Sequence, residues 1–317
     1  MMGVLKIRRL IMLDALLKAL SFVFIIVLGY VLKKGKLFGP NDYQVVSKIV
    51  TKITLPATVI VSFSDANFDL SMITITLLSI GINVLMLLLG FLISRKKDLP
   101  LRALHALALP GYNIGAFAMP FTQSILGPGG AAITCLFDTG NAIMCTGGSY
   151  AATYSVLHKG EEGGLRLGAL LKQLLRVLPF VTYLTMLALT LLNLHLPARL
   201  VDFIRPIANA NPYCAMFLMG LLFELNFPKQ TIQAVWRIVL IRNMVAVLLA
   251  LGFWFLLPAP LIIRQTLAVL VFAPGSIMTP AFVEQCGGDA SAASCAGSLC
   301  TITSIIGMIV VLLATGV

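Results

Sequence analysis

Apolar residues run along most of the chain in blocks of about twenty or more, separated by short polar stretches. The blocks lie at roughly 12–33, 43–64, 70–94, 101–126, 129–157, 169–193, 199–223, 231–257, 261–285 and 289–316. A helix needs about 20 predominantly apolar residues to cross the hydrocarbon core of a bilayer. The pattern therefore predicts ten spanning helices. The longest polar stretch, His158 to Arg166, carries Lys159, Glu161 and Glu162 and lies at the midpoint of the chain. All other loops are short, so the expectation is an all-α polytopic membrane protein with no appended soluble domain.

Composition sharpens this. Of 317 residues, 59% are hydrophobic and 11% charged, and the mean hydropathy is +0.99. Soluble domains carry about a quarter charged residues, and a chain this poor in charge cannot clothe a water-exposed surface. Soluble enzymes are excluded. The net charge of +11 reads as an excess of basic loop residues on one side of a membrane, not as a nucleic-acid footprint. Fifteen Lys and Arg fall beside the loops after spans 1, 3, 5, 7 and 9: Lys33, Lys34, Lys36, Lys48, Lys52, Arg95, Lys96, Lys97, Arg102, Lys159, Arg166, Lys172, Arg176, Lys229 and Arg237. Seven fall on the other side: Lys6, Arg8, Arg9, Lys18, Arg199, Arg205 and Arg264. The richer side is expected to be cytoplasmic, with both termini outside. A start at Met12 would remove Lys6, Arg8 and Arg9 and steepen the asymmetry. The first apolar block ends in Lys33-Lys34 without a small-residue cleavage site, so it reads as a span and not as a signal peptide.

Reactive side chains are sparse. Cys135, Cys145, Cys214, Cys286, Cys295 and Cys300 lie in apolar surroundings without a CxxC pair and read as small buried hydrophobes. His105, His158 and His195 are scattered. Neither a resident metal nor a cofactor is expected, and no cluster of acids, bases and metal ligands suggests an enzyme.

The two halves of the chain repeat one another. Ala15-Leu16-Leu17-Lys18 recurs as Ala169-Leu170-Leu171-Lys172, Pro56 answers Pro212, and Asn67-Phe68 answers Asn226-Phe227. Pro110-Gly111 answers Pro274-Gly275, and Pro120 answers Pro280. The order and near-constant offset divide the chain into 1–157, a linker at 158–168, and 169–317. A unit of five spans is odd, so the second copy enters the membrane from the opposite face. That is an inverted repeat, a common transporter plan.

Spans 4 and 9 are predicted to be broken. Span 4 reads Leu109-Pro110-Gly111-Tyr112-Asn113-Ile114-Gly115 and continues to Pro120; span 9 reads Ala273-Pro274-Gly275-Ser276-Ile277-Met278-Thr279-Pro280. Proline removes a helix donor and clashes with the preceding turn, and glycine permits unwound backbone. Irregular backbone at membrane depth is tolerated only when buried in protein or lining a wet cavity. Two such breaks brought together present half-helix N-termini, which favour anions. Pro110, Gly111, Tyr112, Asn113, Gly115, Pro274, Gly275, Ser276 and Thr279 are the expected solute-binding residues, and a small carboxylate is the expected class of solute.

These motifs resemble the auxin efflux carrier family of transporters. The similarity rests on Asn113, Gly115 and Pro120 in span 4, with Ala116 and Ala118 departing from the usual pattern. It rests also on Leu55-Pro56-Ala57, on Ala208-Asn209-Ala210-Asn211, and on Ala273-Pro274 through Gly287-Gly288-Asp289-Ala290. The resemblance implies two inverted five-helix repeats with crossing helices 4 and 9, an architecture similar to that of NhaA and the bile-acid sodium symporters. It also implies a scaffold of spans 1, 2, 6 and 7 and a transport part of spans 3–5 and 8–10. A homodimer, an elevator-type movement and a place in a bacterial inner membrane follow from the same resemblance. The long cytoplasmic loop of plant members is absent.

Few ionisable residues fall inside spans, and those that do are functional candidates by default. Asp138, close to Thr139 and Asn141, could carry a coupling proton, help bind sodium together with Asn113 and Thr139, or pair with Arg242. Arg242 lies inside span 8 beside Asn243, where relatives more usually carry an apolar residue and a proline, and could alternatively attract the anion. Glu284, Glu224 and Asp65 are expected at helix ends, and His105 as a packed, hydrogen-bonded side chain.

Overall fold

The structure is a computed structural model that describes residues 2–39, 41–66, 73–158, 167–224 and 229–316. The repeat pairs Asn67-Phe68 and Asn226-Phe227, the start of the third predicted span and the charged stretch 159–166 lie outside the described residues.

The described chain is helical, with no strand among the described residues. The elements in order are α1 (Met2–Lys34), α2 (Tyr43–Ile49), α3 (Leu55–Asp65), α4 (Ile73–Ile93), α5 (Leu99–Ala108), α6 (Met119–Ile125), α7 (Gly127–Ile143) and α8 (Ser149–Leu157). They continue with α9 (Leu167–Leu174), α10 (Leu178–Leu191), α11 (Ala198–Leu222), α12 (Ile232–Phe255), α13 (Leu261–Leu270), α14 (Thr279–Gln285) and α15 (Ala290–Thr315). Among the described residues five segments are long and apolar enough to cross a membrane: Leu16–Lys34, Tyr43–Asp65, Ile73–Ile93, Ile232–Phe255 and Ala290–Thr315. Leu178–Leu191 and Leu261–Leu270 are shorter apolar helices.

Local chemistry sets many of the boundaries. A π-helical turn, Val50–Thr54, joins α2 to α3. It delivers Pro56 to the first turn of α3, where proline has no intrahelical donor to lose. α15 starts at Asp289, whose carboxylate accepts from the amide of Ala292 at 3.1 Å, and ends at Gly316 in the left-handed region. The predicted spans 4 and 9 are each split: α5 and α6 are separated by residues 109–113 and a π-helical turn Ile114–Ala118, and α13 and α14 by residues 271–278.

Packing gathers most helices into two groups, which meet where α3 and α10 touch α7, α11 touches α6 and α1 touches α15. α3, α10 and α1 all lie against or around α11 and its neighbours, while α4, α5, α7, α8, α12, α13, α14 and α15 contact one another in turn. The α1–α11 crossing is a glycine-to-glycine contact. A Cβ on Gly29 would stand 2.6 Å from the carbonyl oxygen of Phe217 and 3.2 Å from the Cα of Gly220. The small-residue pair brings the two backbones together, as is common for helices packed in lipid. α4 is docked the same way on α5, where a Cβ on Gly90 would lie 2.7 Å from the carbonyl oxygen of His105.

Candidate functional site

The two breaks meet and pair. Tyr112 and Gly275 form an isolated antiparallel bridge, and the amide of Asn113 donates to the carbonyl of Pro274 at 2.9 Å. Gly111 makes the first break possible by adopting φ +78°, a conformation costly for other residues. Its freed amide donates to Asn83 Oδ1 on α4 at 2.7 Å. Asn141 on α7 serves the next residue from both ends of its amide. Its Oδ1 accepts from the Tyr112 amide at 3.0 Å, and its Nδ2 donates to the Tyr112 carbonyl at 2.7 Å. Two buried asparagines thus satisfy backbone groups that the unwinding exposes at a depth where an unpaired one is costly.

Arg242 on α12 closes the construction from behind. Its Nη1 donates to the carbonyl oxygens of Leu109, Ala108 (3.3 Å) and Gly111 (3.3 Å), and its Nη2 to that of Ala273 at 3.0 Å. The guanidinium carbon lies 4.9 Å from the Tyr112 ring centroid, a cation–π contact. These carbonyls sit at or just beyond the C-terminal ends of α5 and α13, the negative ends of the two half-helices. One buried cation caps both. Arg242 makes no ion pair with Asp138: its donors are taken by carbonyls, and Asp138 is satisfied elsewhere.

Asp138, on α7, accepts from Asn141 Nδ2 at 2.9 Å through one oxygen and from the Tyr183 hydroxyl at 2.7 Å through the other. Both oxygens of the buried carboxyl group thus have a hydrogen-bond partner. Tyr183 belongs to α10, so this bond joins the two packing groups. The Asp138 carboxylate also faces the half-helix that begins at Ile114: a Cβ on Gly115 would lie 3.4 Å from Asp138 Oδ2 and 2.6 Å from Leu55 Cδ2. An anion at that positive helix end is favourably placed. The expected cluster of Asn113, Thr139 and Asp138 is not joined by hydrogen bonds. The Thr139 hydroxyl donates to the carbonyl of Cys135 in its own helix at 2.8 Å, and Asn113 Nδ2 donates to Met219 Sδ at 3.2 Å.

A cavity of about 110 Å³ lies on the other face of the crossing. Asn113, Gly275, Ser276 and Thr279 line it, together with Met219, Leu222 and Phe223 from the end of α11 and Ser294, Ser298 and Thr301 from α15. No Lys, Arg, Asp or Glu is among its lining residues. Of the nine residues expected to bind solute, these four reach the cavity. Pro110, Gly111, Tyr112 and Pro274 build the crossing behind it, and Gly115 is packed against Leu55.

Sequence reasoning missed Asn83, Tyr183 and the α15 wall. Asn83 had a signal, being the one amide side chain in the run Ile73–Ile93, whose other polar side chains are the hydroxyls of Thr74, Thr76 and Ser79. The α15 stripe had one too: small and hydroxyl residues recur at helical spacing from Ser294 to Thr301. Tyr183 had none, since a tyrosine in a span is unremarkable. The remaining ionisable candidates are structural or exposed. Asp65 holds Arg205 through two bonds of 2.6 and 3.0 Å, Glu224 lies 3.7 Å from Lys33, and Glu284 is exposed. His105 is buried, with Nδ1 donating to the Leu101 carbonyl at 2.7 Å.

No curated protein is similar enough to match the chain. Residues 15–160, which contain the first broken helix, Asn83, Asp138 and Asn141, match the family model described as membrane transport protein. That model is the membrane transport domain of the auxin efflux carrier family, and together with the apolar helices it indicates a multi-pass membrane transporter.

Proposed function

We propose that the protein is a secondary carrier of small organic anions, binding a carboxylate in the cavity at the crossing of the two broken helices. The observation that carries the reading is the double cap made by Arg242. With the negative ends of α5 and α13 neutralised from behind, the polar groups lining the cavity are the Asn113 side-chain amide and the Ser276 and Thr279 hydroxyls, with the half-helix that begins at Ile114 directly behind Asn113. That field favours an anion. The lining holds no charged side chain, so a solute with one carboxylate and an apolar remainder suits it better than a polyanion.

The proposed architecture is ten spans in two inverted repeats. Spans 1, 2, 6 and 7 form a scaffold through which two copies pair, and spans 3–5 and 8–10 carry the site in an elevator-like movement. The division of helix contacts into two groups supports this. In this scheme the Lys- and Arg-rich loops are cytoplasmic, in a bacterial inner membrane, and the cavity beside Leu222 and Phe223 opens inward.

A second reading, coupling to a proton or sodium ion, is favoured by Asp138. It is a buried acid with no cationic partner among the described residues, set against the same half-helix whose positive end would serve the solute. Neutralising it by a proton would leave that end free for the anion, linking proton and solute on one carrier.

The test is a thermal-shift and flux screen of purified protein against carboxylates, with and without sodium, at two pH values. Stabilisation and uptake of a carboxylate, both weakened by Asn113→Ala, support the site. An identified solute bound equally well by the Asn113→Ala protein would place it elsewhere.

A further inference from the structure

An apolar groove of about 400 Å³ runs between α1 and α15. It is independent of the crossing, although Phe223 and Thr301 wall both the groove and the solute cavity. Its α1 side extends from Val23 to Tyr30, about 10 Å of helix. Its α15 side is formed by Ile302, Ile305 and Ile306. The Thr301 hydroxyl is turned away into its own helix, donating to the Gly297 carbonyl at 2.9 Å, so it offers no hydrogen bond to an occupant. Val27 and Ile306 are 50% and 58% exposed, so the groove is open on its lipid side.

One end of the groove is basic. Lys34 Nζ stands 5.8 Å from the centroid of the Tyr30 ring. Lys33 Nζ donates to the carbonyl of Phe223 at 3.4 Å and lies 3.7 Å from Glu224. Tyr30 and Phe223 are themselves groove walls, so both ammonium groups sit at its mouth, and Lys36 follows in the same turn region. Two lysines and one carboxylate, Glu224, are placed there. An apolar slot closed at headgroup level by surplus positive charge, with an aromatic ring at the boundary, is complementary to a chain of an anionic lipid.

We infer that the α1–α15 groove is a binding site for one acyl chain of an anionic phospholipid, its headgroup held by Lys33 and Lys34. α1 and α15 belong to the two different packing groups, so a bound chain lies along a seam that relative movement of the groups would shear. The bound lipid therefore biases the carrier toward the arrangement described here.

Quenching by brominated lipid tests the site. The full-length protein, with Trp236 and Trp254 changed to Phe and Ile306→Trp as reporter at the groove rim, is reconstituted with phosphatidylglycerol or phosphatidylcholine brominated on the acyl chain. The expected result is half-maximal quenching at a several-fold lower mole fraction of the phosphatidylglycerol, with the preference abolished by Lys33→Gln/Lys34→Gln. A Leu248→Trp reporter on the lipid face of α12 should show no such preference. Equal quenching by both lipids at the groove, or an equal preference at Leu248→Trp, would overturn the site. So would loss of quenching on raising the protein-to-lipid ratio, because the occupant would then be a second copy of the chain.

Discussion

Arg242 holds the carbonyl of Ala273 at 3.0 Å while its guanidinium covers the ring of Tyr112, so a single side chain from α12 fastens the second break to the first. Its planar fork is what spans the two. Arg242→Leu strands several buried carbonyls, each costing about 1–3 kcal/mol when left unpaired, and should markedly lower the unfolding temperature in detergent. Arg242→Lys keeps the charge but cannot bridge both breaks, and should fall between the two. Because Arg242 and Asp138 do not pair, exchanging their charges should rescue neither single change. Recovery of stability in the exchanged protein would contradict the geometry.

The same residue shows where the sequence is legible and where it is not. Proline-glycine pairs at matching places in two apolar blocks are enough to predict breaks, because local backbone chemistry decides them. The depth of Asp138 and Arg242 in their spans marks both as unusual. Which groups they meet depends on how helices rotate about their axes, and a nearly uniformly apolar helix such as α12 carries little periodicity to fix that. The pairing of Arg242 with carbonyls and of Asp138 with Tyr183 could therefore not be read beforehand. Nor could the division of the nine expected residues into four that reach the cavity and five that do not. The small-residue contacts at Gly29 and Gly220 were equally silent, since glycine is frequent throughout the chain.

Those glycines carry a packing prediction. Gly220→Ala places a methyl group against the backbone of α1 near Ile26 and Gly29, where no side-chain rotation can relieve it. Overpacking of this kind costs about 1–3 kcal/mol. Gly252, in α12, has nothing within 4 Å of its would-be Cβ, so Gly252→Ala should be neutral or stabilising by up to about 1 kcal/mol. Thermal unfolding of the two variants side by side checks the contrast, and equal behaviour would mean that the α1–α11 contact is looser than described.

The bond from Tyr183 to Asp138 joins the two packing groups at the level of the site. Tyr183→Phe removes one of two donors to a buried carboxylate, and should cost about 1–3 kcal/mol. Asp138→Asn removes the charge and should make the loss of the Tyr183 hydroxyl matter less. The double variant is then less impaired than the sum of the singles, a coupling read from a double-mutant cycle of unfolding free energies. If Asp138 carries the coupling proton, Asp138→Asn also flattens the pH dependence of uptake, whereas Tyr183→Phe shifts that dependence without abolishing it. Strict additivity would argue that the two side chains do not interact in the membrane.

Gly275 gives the most direct access to the cavity. It pairs with Tyr112 through its backbone, and a Cβ built on it meets nothing within 4 Å. Its side-chain direction is open space, within the residues that line the cavity. Gly275→Leu should leave the crossing intact, since the bridge and the Arg242 cap use only backbone groups on that side, while filling the volume a solute needs. The expected outcome is an unfolding temperature within a few degrees of the parent, together with at least a tenfold loss of affinity, about 1.4 kcal/mol. Asn113→Ala should also weaken binding, but by removing a hydrogen bond and not by occupying space. A solute with a smaller apolar remainder should then be spared by Gly275→Leu and still penalised by Asn113→Ala. Comparing short and long monocarboxylates against the two variants, by binding calorimetry on purified protein, separates the two contributions. If Gly275→Leu binds every carboxylate as the parent does, solute does not occupy the cavity at the crossing.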